Sequence, residues 1–265
     1  MAIRPSLQRM LPSADPWIVR GTKGSATQVR VFCFHCAGGS AGQFREWDTL
    51  APRNVEIVAI QLPGREHRMR EPPVSSFPDL IAGLIHSLIP CLDRPYVLFG
   101  HSLGALTAFE VARTLRTMPV RQPEALCVAA RSAPQLAISR APVDEYPTHK
   151  LIEVLQMYGG VSEEMLRDTA LMQDLLPMIR ADFRLVRNYG YEKQPPLAYP
   201  ILALGGTADA SCREADLRAW AAQTCHSFEC RMFPGGHFFL RQHTAALVDV
   251  LARMTPLDAE STACL

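Results

Sequence analysis

A chain of 265 residues, 48% hydrophobic and 20% charged, carries enough apolar surface for one large core with room for an insertion, and is too short for two equal domains. Its 27 Lys+Arg against 26 Asp+Glu leave a formal charge of +1, so no broad field favours nucleic acid or an anionic membrane. With Pro 21 and Gly 16 it stays far below the roughly 25–30% of low-complexity chains, which predicts a globular protein.

At the N-terminus, Arg4 and Arg9 are not followed by the apolar run of a secretory signal. No later stretch approaches the roughly 18 apolar residues of a membrane span. The expected location is the cytoplasm, where eight irregularly spaced Cys fit reduced thiols, most of them small core residues. Residues 17–20 are expected to pair with Val29–Phe34 as an antiparallel edge. From there β-rich runs at Val29–Phe34, Val55–Ile60, 96–99, 125–130, 201–204 and Phe228–Phe233 alternate with helical patterns. That alternation predicts an α/β fold with a mostly parallel central sheet flanked by helices, the near-continuous apolar strands being central.

Phe77, Leu80, Ile81, Leu84, Ile85 and Leu88 repeat with helical spacing behind Ser75 or Ser76 as N-cap. A second helix opens at Ser102, with Ala105, Ala108, Phe109 and Ala112 on the face that meets the sheet. The interval 131–198 between two strands far exceeds an ordinary loop of about 12–15 residues and must hold structure of its own. Leu151, Val154, Leu155 and Tyr158 predict a helix stopping at Gly159-Gly160. Ser162 can cap a short second helix, and Leu171, Leu175, Ile179 and Val186 predict a third, kinked at Pro177. The expected organisation is a single domain over 1–265. Its core spans 15–133 and 197–254, a helical lid insertion covers about 134–196 above the carboxyl ends of the strands, and Thr244–Arg253 forms a last helix before a flexible tail at 255–265.

Three loops at strand ends carry the chemistry. Gly100-His101-Ser102-Leu103-Gly104 follows an apolar strand and opens a helix, the setting in which G-x-S-x-G is a nucleophile elbow. A serine hydroxyl needs a base that a third group orients. Gly205-Gly206-Thr207-Ala208-Asp209 and Pro234-Gly235-Gly236-His237 place an acid and an imidazole just past two later strands. The order Ser102, Asp209, His237 is that of α/β-hydrolases. Asp216 is a rival acid. His101 is expected to support packing, not to act as the base. Acyl transfer also needs two oxyanion donors. The loop His35-Cys36-Ala37-Gly38-Gly39-Ser40 offers the Ala37 or Cys36 amide to pair with that of Leu103. Cys33 and Cys36 form a C-x-x-C, but Cys33 lies inside an apolar strand with alternating faces, and Cys225, His226 and Cys230 have no regular metal-ligand spacing. There is no Walker or dinucleotide motif, so neither metal nor cofactor is expected. Arg65, Arg68 and Arg70 form a local basic cluster, read as a solvated loop, with docking to an acidic partner as the alternative.

With these residues assembled, the chain resembles the type II thioesterases, the stand-alone α/β-hydrolases that accompany polyketide synthases and nonribosomal peptide synthetases. The likeness rests on Cys33-Phe34 followed by Ala37-Gly38-Gly39-Ser40, Leu62-Pro63-Gly64-Arg65-Glu66, Gly100-His101-Ser102-Leu103-Gly104-Ala105, Arg180-Ala181-Asp182-Phe183 and Pro234-Gly235-Gly236-His237-Phe238-Phe239. The resemblance implies hydrolysis of aberrant or stalled acyl units from the phosphopantetheine arm of an acyl or peptidyl carrier protein, by a monomer that needs no cofactor. Ser102 would be nucleophile, His237 general base and acid, Asp209 its orienting partner, and Ala37 and Leu103 the oxyanion donors. Release of a finished chain, a carboxylesterase or lipase activity, and a non-catalytic synthase-binding module are the alternatives. Many relatives have Pro before His or Tyr ahead of Ala-Gly-Gly where this chain has His35-Cys36, a change that leaves main-chain donors in place.

Overall fold

Alternating side chains decide how the central strands sit. In β3 (Val29–Phe34) Val31 and Cys33 face one apolar cluster while Phe32 and Phe34 face another, so the strand is buried on both sides. The computed structural model describes residues 11–12, 15–21, 23, 27–136, 141–161 and 163–254; the 255–265 tail and the expected cap Ser162 lie outside them. In chain order the strands are β1 (Leu11–Pro12), β2 (Ile18–Arg20), β3, β4 (Val55–Ile60), β5 (Tyr96–His101), β6 (Ala125–Ala129), β7 (Ile201–Gly206) and β8 (Phe228–Phe233). They form one sheet in the order β1-β2-β4-β3-β5-β6-β7-β8. The pairs from β4 across to β8 are parallel, and β1 and β2 add an antiparallel edge.

Two expectations about strands are corrected. The 17–20 run pairs with β4, Ile18 opposite Ile60, and not with Val29–Phe34. Both edges of β3 are already taken, Phe32 lying opposite Val58 on one side and Leu98 on the other. β5 and β7 also run two residues further than hydrophobicity marks them, because Gly100 pairs with Val128 and Gly206 with Phe233. Ladder bonds need only backbone, so residues of low β-propensity continue a strand whose neighbours are in place.

Helices cover both faces. On one side lie α2 (Phe77–Leu88), N-capped by Ser76 Oγ accepting from Asp79 N–H, and α3 (Leu103–Leu115). On the other lie α1 (Arg45–Leu50) and α8 (Thr244–Arg253). Between β6 and β7 the chain builds α4 (Thr148–Tyr158), α5 (Glu163–Arg167) and α6 (Thr169–Asn188), the last containing Pro177, before α7 (Glu214–Arg218) follows β7. α4 ends where Gly159 takes a left-handed conformation, φ +76°. Leu151, Leu155, Met178 and Ile179 give this insertion an apolar centre of its own.

A buried ion pair seats α6 on the sheet. Arg65 donates through Nη1 and Nη2 to the two carboxylate oxygens of Asp182, each at 2.9 Å, with side chains only 3% and 2% exposed. Arg68 is buried as well. It donates to the Gln61 carbonyl and to Glu71, and stacks its guanidinium 4.3 Å over the Trp17 ring. The cluster Arg65, Arg68, Arg70 is therefore neither a solvated loop nor a docking patch: only Arg70 is exposed. Each of the other two is held by a carboxylate and backbone carbonyls. Removing one partner of a buried pair leaves an uncompensated charge. Asp182→Ala should cost about 3–5 kcal/mol, read as a lowered urea midpoint.

Candidate active site

The turn from β5 into α3 is possible only with glycine at both flanks. A Cβ on Gly100 would stand 2.1 Å from the Gly104 carbonyl oxygen, and one on Gly104 would stand 2.1 Å from that of Phe34. Strand, helix and β3 approach so closely that no side chain fits. Between the glycines Ser102 takes φ +57°, ψ −111°, a costly conformation for a non-glycine residue, held by its N–H donating to the Ala129 carbonyl at 2.8 Å. Leu103 is the first residue of α3, so its N–H has no intrahelical acceptor and lies at the positive end of the helix dipole.

The loop after β3 faces this turn. Gly38, at φ +70°, donates its N–H to Asp182 Oδ2 at 2.8 Å, Gly39 N–H donates to the Cys36 carbonyl at 3.0 Å, and Arg65 Nη1 donates to the Gly39 carbonyl at 3.0 Å. Among the described residues the intervening Ala37 N–H has no acceptor. Ala37 and Ser102 line one cavity.

Past β7, Asp209 is buried. Its Oδ2 accepts from His237 Nδ1 at 2.8 Å, while Oδ1 accepts from Ser211 N–H at 2.9 Å and Ser211 Oγ–H at 2.6 Å. Burial raises the pKa of this carboxyl, yet the bonds from His237 and Ser211 together outweigh it and hold the group below its ordinary value. It stays anionic at neutral pH and accepts from Nδ1, which selects the tautomer of the neutral imidazole whose Nε2 is the acceptor. Asp216 is no rival: it accepts from the Arg213 N–H and pairs with its guanidinium at the start of α7. Ser102 and His237 line the same cavity, and among the described residues no hydrogen bond joins their side chains. Such contacts are commonly long before substrate binds.

His101 does more than pack. Its Nε2–H donates to the His237 carbonyl at 2.9 Å, so its Nδ1 is the acceptor for Gln43 Nε2–H at 3.2 Å. The two imidazole centres are 5.2 Å apart, and Tyr158, from the end of α4, brings its ring to 4.9 Å from that of His237. Asp182 stands in the motif Arg180-Ala181-Asp182-Phe183, which the sequence singles out without giving the carboxylate a role, and neither Ser211 nor Gln43 is anticipated there. For Ser211 a signal exists, since Asp-x-Ser is an Asx-turn pattern. For Gln43 there is none.

The cavity holds about 840 Å³. The insertion supplies an apolar wall including Val154, Leu155, Leu175, Ile179, Phe183 and Val186, and the strand ends supply a polar floor of Ser102, Arg131, Ser132, Ser211 and His237. Cys33 and Cys36 are buried, and Cys225 is exposed. No group of three or more His, Cys, Asp or Glu among the described residues could hold a metal ion.

Comparison with known proteins agrees with this geometry. A family model described as a thioesterase domain matches residues 29–255. The gramicidin S biosynthesis protein GrsT of Aneurinibacillus migulanus is 34% identical over 247 residues, 93% of this chain and 96% of that protein. Among solved structures, the thioesterase RedJ from the prodiginine pathway of Streptomyces coelicolor superposes with a TM-score of 0.81 at 34% identity, covering 86% of this chain and 91% of RedJ. The type II thioesterase BorB from the borrelidin cluster gives 0.82 at 34%, covering 90% of this chain and 97% of BorB.

Burial, followed by the neighbouring His237, lowers the His101 pKa from 6.5 to about 3. A histidine whose folded pKa is depressed stabilises the fold fully above the unfolded value and loses that contribution as pH falls toward the folded one. Unfolding free energy should therefore decline between pH 6.5 and about 3. His101→Gln, measured by urea titration at several pH values, should flatten that slope.

Proposed function

The chain belongs to the thioesterase family, hydrolases that cleave thioesters, and we propose that it removes aberrant or stalled acyl units from the phosphopantetheine arm of carrier proteins in polyketide or nonribosomal peptide biosynthesis. The observation that carries the reading is the 2.8 Å bond from His237 Nδ1 to Asp209 Oδ2, beside the Ser102 elbow on the same cavity.

In this mechanism Ser102 Oγ gives its proton to His237 Nε2 and attacks the thioester carbonyl. The oxyanion is held by the Ala37 and Leu103 N–H groups. Collapse breaks the C–S bond, and the proton on Nε2 passes to the departing sulfur, releasing the pantetheine thiol. Water then enters, His237 takes one of its protons, and the hydroxide equivalent attacks the acyl-serine carbonyl. His237 returns the proton to Ser102 as the free acid departs. Asp209 keeps the imidazole in its tautomer throughout, and the bond from His101 to the His237 carbonyl keeps the loop in register. The apolar wall of the insertion suits an acyl chain, and the insertion acts as the lid.

GrsT serves gramicidin S biosynthesis by its name, RedJ the prodiginine pathway, and BorB comes from the borrelidin cluster. Those contexts support a carrier protein as the partner here. We take the protein to act as a monomer. No described helix is long and apolar enough to cross a membrane.

Ser102→Ala should lower turnover of acyl-carrier protein and acyl-pantetheine by about 10⁴-fold or more. Retained turnover would refute the nucleophile. Asp209→Asn should reduce kcat by about 10⁴-fold through loss of the correct tautomer. Faster cleavage of p-nitrophenyl esters than of pantetheine thioesters would identify an esterase instead.

A further inference from the structure

The end of α4 is fastened to the loop that carries His237, and no step of the mechanism above uses the contact. Gly159 turns left-handed directly after Tyr158, its N–H donating to the Gln156 carbonyl at 2.8 Å and that of Gly160 to the Leu155 carbonyl at 3.0 Å, so the helix stops there. The Gly159 carbonyl accepts from Arg241 Nη1 at 3.1 Å, and the Arg241 guanidinium lies 4.3 Å from the centre of the Phe238 ring. Gly160 fits closely against the same ring: a Cβ there would stand 3.3 Å from Phe238 Cζ. With its helix end held in this way, Tyr158 brings its ring centre to 4.9 Å from that of the His237 imidazole.

Three rings surround that imidazole. His101, at 5.2 Å, belongs to the elbow, and Phe238, at 5.6 Å, to the loop of His237 itself. Tyr158 is the one that the insertion supplies. With Asp209 bound to Nδ1, the His237 side chain is only 10% exposed. Tyr158 is half-buried and lines the cavity together with Ser102 and His237. Burial, followed by the charge of Asp209, raises its phenol above the ordinary pKa, so the ring stays neutral. A neutral aromatic ring attracts a cation within roughly 6 Å of its centre. In the proposed mechanism His237 is a cation twice in each turnover, once after taking the Ser102 proton and once after taking a proton from water.

We propose that Tyr158 is a positioning residue whose ring walls one side of the His237 imidazole and steadies the positive charge that His237 carries during the reaction, so that the base is complete only with the end of α4 in place. The inference rests on His237 acting as the base at Ser102. A residue that only walls the acyl pocket acts on binding, and its loss grows with the hydrocarbon it meets. A ring that serves the base acts on kcat for every acyl group, whichever step limits, because acylation and deacylation both pass through the imidazolium. The insertion thus contributes to the chemistry as well as to the wall that meets the acyl chain.

Acetyl- and octanoyl-pantetheine differ only in hydrocarbon length, which separates the two roles. Tyr158→Leu should lower kcat by about threefold to thirtyfold on both, with KM changed by less than about twofold. Tyr158→Phe, which keeps the ring, should recover most of that loss. In a double-mutant cycle on acetyl-pantetheine, Tyr158→Leu should cost nothing further in the His237→Ala background, since the ring acts through the imidazole. An unchanged kcat for Tyr158→Leu, a loss confined to KM or to the octanoyl thioester, or Tyr158→Phe as slow as Tyr158→Leu would overturn the assignment. So would a Tyr158→Leu loss that persists in full without His237, as general damage to the fold would produce. His237→Ala by itself is the separate control: unchanged turnover there would refute His237 as the base, while the cycle addresses Tyr158 alone.

Discussion

The carboxylate of Asp182 is where insertion, sheet and reaction centre meet. One oxygen accepts from Arg65 Nη2, and the other from Arg65 Nη1 and from the Gly38 N–H. Arg65 reaches on to the Gly39 carbonyl. A single buried pair thus orients two successive residues of the loop after β3, just past Ala37, which lines the cavity. Stability alone is a weak reason for such a pair, since apolar residues of similar volume often replace one without loss. Its value here is geometric, and under the proposed mechanism it sets the loop whose Ala37 N–H would meet the oxyanion, a donor that must be in place before charge develops.

A second set of contacts performs the same service for His237, the proposed base. Gln43, from the short helical turn that follows the oxyanion loop, donates to His101, and His101 donates to the His237 carbonyl. Asp209 and Ser211 hold the other side of the imidazole's neighbourhood. The three loops that approach the cavity are therefore joined to one another by hydrogen bonds as well as to the strands beneath. The strained backbone of Ser102 and the glycines around it sit inside that frame, which is what lets the strain persist.

Much of this was legible in the sequence because it is local. A glycine pair beside an apolar strand declares a tight turn, and Ser102, Asp209 and His237 each stand in such a turn. The helix at Phe77–Leu88 follows from spacing and a cap, Ser76. What escaped was non-local. The partner of Ile18–Arg20 depends on which strand edge remains open once β3 has two neighbours. Arg65 and Arg68 look like solvated charge until α6 brings Asp182 and the chain turns Glu71 and Trp17 onto Arg68.

The bond from Gly38 to Asp182 spans 144 residues of chain. The hydrogen bond from His101 to the His237 carbonyl spans 136, and closure entropy grows only with the logarithm of the separation, so the two cost nearly the same to close. Both tie the first half of the chain to its later segments, one through the insertion and one through the last strand. Undocking of α6 alone would leave the turns of Ser102, Asp209 and His237 on their strands while freeing the loop that faces them.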